Sequence, residues 1–213
     1  LATIFDFNGV LVDDEHVHLA AFREVLARPP LQIALSDQEY AERYLGYDDR
    51  GAFEAILRDA GRAPTPDEVS ALVAAKVPVY LRRATEELRI FPGAAELVRR
   101  AAGRGPVAIV SGALRHEIEL ALDAMKVREA IAFIVAAEDT KACKPDPEGY
   151  LIAKARLGAA GAAATVIEDS IAGIQAARAA GLRCIAVAHS YPQPELVRAG
   201  ADAVYATIAE VVL

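Results

Sequence analysis

Residues 165–187 read TVIEDSIAGIQAARAAGLRCIAV, and their rhythm decides the fold. Thr165-Val166-Ile167 is a short, β-branched apolar run, which predicts a buried strand. Three polar residues follow, Glu168, Asp169 and Ser170. From 171 to 180 apolar residues recur at helical spacing, and Gly181 supplies the left-handed residue that commonly closes a helix. Cys184-Ile185-Ala186-Val187 is a second apolar run. Strand, helix and strand in such quick succession predict a right-handed crossover between parallel strands. The runs are continuous rather than alternating, as in a parallel sheet covered on both faces.

The same rhythm extends outward. A helix over 94–104 leads to a strand at Val107-Ala108-Ile109-Val110, and a helix over 114–125 to one at Phe133-Ile134-Val135. A helix over 147–157 leads back to Thr165. A last helix near Glu195 precedes Ala203-Val204-Tyr205. The chain opens with Leu1-Ala2-Thr3-Ile4-Phe5, a strand ending in the polar turn Asp6-Phe7-Asn8-Gly9. Between 16 and 88 the texture is helical and almost strand-free, as in Leu19, Phe22, Val25 and Leu26, or Phe53, Ile56 and Leu57. Breaks fall at Arg28-Pro29-Pro30, Gly46 and Gly61-Arg62-Ala63-Pro64. Ser36 with Glu39 predicts a capping box, and Thr65 before Pro66 another helix start. The expected architecture is an open, doubly wound α/β sheet, residues 1–15 and 89–213, interrupted by a helical insert over 16–88.

A chain of 213 residues, 54% of them hydrophobic, can build a core without disulfides or metal staples. No apolar run approaches the 18 or so residues of a membrane span; the longest, 130–137, predicts a buried strand. Lys+Arg 23 against Asp+Glu 30 gives a net charge of −7. That balance argues against nucleic acid or an anionic membrane as the main partner, while leaving room for a local basic pocket. Cys143 and Cys184 match neither a redox nor a metal spacing, which predicts free thiols in a reducing, cytoplasmic compartment. The stretch from Leu1 lacks the basic segment and long apolar run of a signal peptide, and lacks Met, so the natural chain is expected to begin a few residues earlier.

Ligands of such a sheet bind beyond the carboxyl ends of its strands. Asp6 and Asn8 follow the first strand, Ser111 and Gly112 the strand at 107–110, and Glu168, Asp169 and Ser170 the strand at 165–167. Lys144-Pro145-Asp146-Pro147 lies between the later strands. Carboxylates suit Mg²⁺, a Ser-Gly turn before a helix offers N–H groups to phosphate, and a lysine balances the remaining charge. Taken singly, Ser111, Asp169 and Ser170 are ordinary helix caps and Lys144 an ordinary solvated lysine. Asp6 is harder to explain as a structural acid, and the four clusters together point to a cation held beside a phosphate.

Phe5-Asp6-Phe7-Asn8-Gly9-Val10 resembles the first motif of the haloacid dehalogenase-like hydrolase superfamily. Ser111-Gly112, Lys144-Pro145 and Glu168-Asp169-Ser170 resemble its second, third and fourth motifs, in order. His18, Phe22 and the stretch 172–177 resemble the subgroup of β-phosphoglucomutase and phosphoglycolate phosphatase. The resemblance implies a Rossmann-like core with a helical cap, and a Mg²⁺-dependent phosphatase of small phosphorylated metabolites. It implies Asp6 as the nucleophile that forms a phosphoaspartate. Mg²⁺ would be held by Asp6, the Asn8 carbonyl, Asp169 and, directly or through water, Glu168. Ser111, the Gly112 amide and Lys144 would hold the phosphoryl group.

One position departs from the pattern. Most phosphatases of this superfamily carry an aspartate where this chain has Asn8, and that acid protonates the leaving oxygen and then activates water. An amide cannot exchange a proton near neutral pH. Three explanations stand side by side. The chain acts on good leaving groups such as acyl phosphates, or His16, His18, Asp13 or Asp14 substitutes as acid–base, or the protein is a weak enzyme that chiefly binds a phosphorylated ligand. Metal-independent dehalogenases also lack the second acid, but their fourth motif is not Glu-Asp-Ser. The phosphonate-cleaving branch needs a cap lysine, for which Lys76 is the candidate. Within the segment 45–50, Leu45 replaces the basic residue of the mutase, which argues against mutase activity. Arg50, Lys76 and Tyr80 remain candidate substrate contacts, and His116 and His189 are expected to be surface residues.

Overall fold

Thr3, Ile4 and Phe5 are buried to the last few per cent and form β1 (Thr3–Phe5), the central strand of a parallel sheet. The computed structural model describes residues 1–213, which divide into two units, Leu1–Asp13 with Arg89–Leu213, and Asp14–Leu88. After β1 comes β2 (Val12–Asp13), then four helices, α1 (Glu15–Leu26), α2 (Asp37–Arg43), α3 (Asp49–Asp59) and α4 (Pro66–Glu87). The chain returns through β3 (Arg89–Ile90), α5 (Ala94–Ala102), β4 (Val107–Val110), α6 (Arg115–Ala124) and β5 (Phe133–Val135). It continues with α7 (Glu148–Arg156), β6 (Thr165–Glu168), α8 (Ile171–Ala179), β7 (Arg183–Val187), α9 (Gln193–Ala199) and β8 (Ala203–Tyr205).

The sheet has six strands in the order β5-β4-β1-β6-β7-β8. All its pairings are parallel, with Ile4 opposite Ala108 on one side and Val166 on the other. This is the expected doubly wound α/β, Rossmann-like architecture. Strand order reverses at β1, so the ends of β4, β1 and β6 meet where such sheets bind ligands. Ile4, Ala108, Val166, Ala186, Tyr150, Ala153, Ile174 and Ala177 pack into one core layer. A fully buried Ile or Val contributes about 1.5–3 kcal/mol relative to an exposed one. No helix is long and apolar enough to cross a membrane, and neither cysteine is in a disulfide.

Three local details add to or adjust the sequence expectations. Within the apolar run over 130–137 the strand is Phe133–Val135, the residues expected, with Ala132 N also donating to Val107 O at 2.8 Å and the Asp139 carboxylate accepting the Ala136 N–H at 2.9 Å. The antiparallel pair β2–β3, Val12 with Ile90 and Asp13 with Arg89, had no sequence signature, being too short to show alternation. The helical unit begins at Asp14 rather than residue 16. Asp14 is buried and accepts from Tyr80 Oη at 2.5 Å and pairs with His18 Nε2 at 3.3 Å.

Within the helical unit the expected caps form. Ser36 Oγ accepts from Glu39 N at 3.1 Å while Ser36 N donates to Glu39 Oε2 at 2.9 Å, and Thr65 Oγ1 accepts from Glu68 N at 3.2 Å. Phe22 meets Phe53 edge-on at 4.8 Å, with Leu57, Val79 and Tyr80 also buried. Lys76 lies inside this unit with no exposed surface. Its ammonium is 2.6 Å from Asp49 Oδ1 and 2.7 Å from His18 Nδ1, and 4.7 Å from the Phe22 ring centre. Lys76 is therefore not the solvated lysine expected of it. It occupies the inner face of α4 with Val69, Val79 and Ala84, where Asp49 neutralises it. Removing one member of a buried ion pair costs about 3–5 kcal/mol, whereas replacing both by apolar groups is often neutral. Lys76→Met should therefore destabilise the protein by about that amount in urea unfolding, and Lys76→Met combined with Asp49→Leu should recover most of the loss.

Candidate active site

Most of the candidate side chains follow a strand of the parallel sheet, and Lys144 comes from the segment before α7. Asp6 leaves the end of β1, its amide still donating to Ile167 O at 2.9 Å, and its carboxylate is almost fully buried. Ser111 follows β4, its amide bonded to Val135 O at 3.0 Å. Its Oγ accepts from Ala113 N at 3.1 Å and donates to Asn8 Oδ1 at 3.3 Å. Gly112 beside it is exposed. Glu168 is the last residue of β6 and Asp169 the next, both buried. Lys144 reaches in from the segment before α7 and donates to Asp6 Oδ1 at 2.7 Å and Glu168 Oε1 at 2.6 Å. Asp6, Asn8, Ser111, Lys144, Glu168 and Asp169 are thus gathered in one unit, as the strand-end reasoning requires.

Two glycines make the crowding feasible. Gly9 has φ +75°, and a Cβ there would overlap the Asp169 carboxylate. A Cβ on Gly173 would overlap the Glu168 carboxylate. Ser170 Oγ caps α8 by accepting from Gly173 N at 3.0 Å, so the cap role weighed for it is real.

The charges do not cancel. Asp6, Glu168 and Asp169 each place a ligand atom within 4.8 Å of the others, with one lysine among them. Burial, reinforced by Glu168, pushes the Asp6 carboxyl up to about 6 despite Lys144. Burial raises Asp169 well above the usual range too, with Glu168 and Asp6 adding to it. Burial works against ionised Glu168 as well, but Lys144, Tyr150 and the Ser170 amide outweigh it and hold its pKa low. Burial would favour a neutral Lys144, yet Asp6 and Glu168 hold its pKa above the ordinary lysine value.

Glu168, expected to act on a metal directly or through water, is richly hydrogen-bonded by the chain itself. Its Oε1 accepts from Lys144 and from Tyr150 Oη at 2.8 Å. Its Oε2 accepts from Asp169 N at 3.0 Å, Ser170 N at 3.1 Å and Ser170 Oγ at 3.0 Å. With both oxygens so engaged, it anchors Lys144 and the turn into α8. Two further residues escaped the sequence reading. His189 Nδ1 lies 2.7 Å from Gly9 O, and Ser190 Oγ donates to Asp169 Oδ2. His189 is half-buried and stacked on Phe91 at 3.9 Å, which corrects its expected place on the surface. No periodicity or motif marks either residue.

The family model for haloacid dehalogenase-like hydrolases matches residues 2–181. The chain belongs to that family. Protein CbbY of Rhodobacter capsulatus is 33% identical over 195 residues, covering 89% of this chain and 86% of the relative. The fructose-1-phosphate phosphatase YqaB of Escherichia coli is 30% identical, covering 86% and 94%. Among solved structures, CbbY from Rhodobacter sphaeroides in complex with phosphate superposes with a TM-score of 0.87 at 28% identity, covering 98% of this chain and 95% of that one. Like its relatives, this haloacid dehalogenase-like protein is an enzyme, a phosphoric monoester hydrolase.

Of the substitutes considered for the acid absent at Asn8, three are engaged inside the helical unit. His16 Nε2 is 3.0 Å from Glu87 O, while His18 and Asp14 join the Lys76 network. Asp13 lies in the same unit as Asp6 and faces Arg89 at 3.8 Å. Arg50 is exposed and donates to Ser70 Oγ at 3.1 Å.

Lys144 is the counter-ion of the site. Lys144→Ala would leave Asp6 and Glu168 buried without it, at a cost of about 3–5 kcal/mol. The Asp6 pKa is raised on folding, so its ionisation costs the folded state stability, a cost incurred as pH rises through about 6. Urea unfolding should therefore show a larger loss for Lys144→Ala at about pH 8 than at about pH 5, where Asp6 takes up a proton.

Proposed function

We propose that the chain is a Mg²⁺-dependent phosphatase of small phosphorylated metabolites in which Asp6 attacks phosphorus and becomes a phosphoaspartate. The observation that carries this reading is the buried Asp6 carboxylate, held 2.7 Å from Lys144 in a group with Asp169 and Glu168. Hard oxygen donors with excess negative charge suit Mg²⁺. Asp6 and Asp169 would hold it directly, with the Asn8 backbone carbonyl, and Glu168 through a water. Bound there, the cation would neutralise charge developing on the phosphoryl oxygens.

The chain's own groups do the remaining work. An Asp6 oxygen forms a bond to phosphorus as the bond to the leaving oxygen breaks, and water then hydrolyses the phosphoaspartate. Lys144, Ser111 and the Gly112 amide stabilise the transferring group through donors set in place beforehand. The names of the relatives support a sugar or similar polyol phosphate as substrate class. Arg50 is the proposed contact from the helical unit.

Asn8 sets the limit of this chemistry. It offers an amide where a proton carrier would supply about 10²–10⁴ in rate. With His18 and Asp14 held in the Lys76 network and His16 Nε2 beside Glu87 O, the reading favoured is turnover of good leaving groups and slow hydrolysis of the phosphoaspartate. Mixing the protein with an aryl phosphate should give a burst of leaving group followed by slow steady release of phosphate, with little turnover of alkyl phosphates. Asn8→Asp should raise alkyl phosphate turnover by about 10²–10⁴, and Asp6→Asn should abolish both burst and turnover. Native turnover of alkyl esters equal to that of Asn8→Asp would refute the reading. Tight phosphate binding without any burst would favour the second reading, a phospho-ligand binder, which the non-ionisable Asn8 also supports.

Metal binding carries its own signature. The metal-free site is least comfortable when Asp6 is ionised, above about pH 6. Adding Mg²⁺ should therefore raise the melting temperature more at about pH 8 than at about pH 5.

A further inference from the structure

The segment that follows β7 carries no motif of the site, yet two consecutive side chains of it bond to residues of the site. Ala188 N still bonds to Tyr205 O at 2.9 Å, which extends the pairing with β8 by one residue. The chain then turns, and His189 and Ser190 diverge.

His189 is locked in one tautomer. Ile208 N–H is a donor that lies 3.3 Å from Nε2, so Nε2 must be the accepting nitrogen. The proton therefore sits on Nδ1, which donates to Gly9 O at 2.7 Å. The ring is clamped flat on Phe91, with centroids 3.9 Å apart and planes 22° from parallel. Every polar atom of the ring is engaged, and the ring cannot flip without losing both bonds.

Ser190 reaches the other side of the same contact. Its Oγ donates to Asp169 Oδ2, the oxygen that sits where a Cβ on Gly9 would be. Gly9 and Asp169 therefore press against each other without any side chain between them. His189 holds the backbone of the first and Ser190 the carboxylate of the second.

We propose that His189 and Ser190 form a positioning pair that sets the spacing between the Asp6–Gly9 loop and Asp169, and so the affinity of the site for a divalent cation. This rests on the metal-dependent reading of the site. Ser190 fixes one oxygen of Asp169 and leaves the other for the cation. His189 holds the carbonyl of Gly9, the residue after Asn8, and with it the course of the loop. Groups that orient metal ligands in this way typically account for about 10–100-fold in metal affinity.

Mn²⁺ serves as the probe, with free Mn²⁺ followed by electron paramagnetic resonance in titrations of the full chain. Ser190→Ala removes the donor to Asp169, and Ser190→Thr keeps it. His189→Phe keeps the stack on Phe91 and removes both polar contacts, and His189→Asn retains a donor near the place of Nδ1. The Mn²⁺ dissociation constant should rise about 10–100-fold in Ser190→Ala and in His189→Phe. Ser190→Thr and His189→Asn should recover most of the affinity, which a purely structural role would not produce. Circular dichroism and melting curves establish that each variant is folded, and the exposed Ser190 makes Ser190→Ala the safer of the two. Folded Ser190→Ala and His189→Phe variants that bind Mn²⁺ as tightly as the native chain would overturn the pair's role alone. A native chain that takes up no Mn²⁺ would overturn the metal site and the pair together.

Discussion

Lys144 stands between Asp6 and Glu168, 2.7 Å from one and 2.6 Å from the other, and the order of the site depends on that one ammonium. Three carboxylates at the ends of β1 and β6 lie within 4.8 Å of one another in a buried setting. Without a cation such a group would hold its protons or push itself apart. Lysine answers part of the problem, and Tyr150, Ser170 and two backbone amides answer Glu168 completely. Asp6 and Asp169 are left under-compensated. That residual charge is what the proposed Mg²⁺ would neutralise.

A second buried lysine shows the contrast. Lys76 in the helical unit also lies between an acid and other polar groups, but its side chain has no exposure, against 20% for Lys144. An ammonium with some access can share itself with an arriving phosphate. One sealed among Asp49, His18 and the Phe22 ring can only hold its neighbours in place. The same residue type is partly accessible beside the carboxylates of one unit and fully enclosed in the other.

Asn8 alters the balance in two ways at once. It removes a negative charge from a site that already has too many, and it removes the proton carrier. The first change favours binding an anionic phosphate, while the second slows whatever needs a proton. On the proposed reading such a site still accepts a phosphoryl group from a good leaving group.

The apolar runs that became β4, β5 and β8 could be read with their limits, and the caps at Ser36 and Thr65 could be read to the residue, because period and capping are matters of a few neighbouring positions. The strand-end cluster Asp6, Ser111, Lys144, Glu168 and Asp169 was legible for a related reason, since a parallel sheet delivers its strand ends to one edge. What only the tertiary structure decided were pairings across long stretches of chain. Lys76 meets His18 across 58 positions, His189 meets Gly9 across 180, and the two-residue strands β2 and β3 exist only because each finds the other. Local sequence encodes which conformation a segment prefers. Whether a histidine faces water or a loop carbonyl depends on what distant segment folds against it, and no pattern within the segment carries that information.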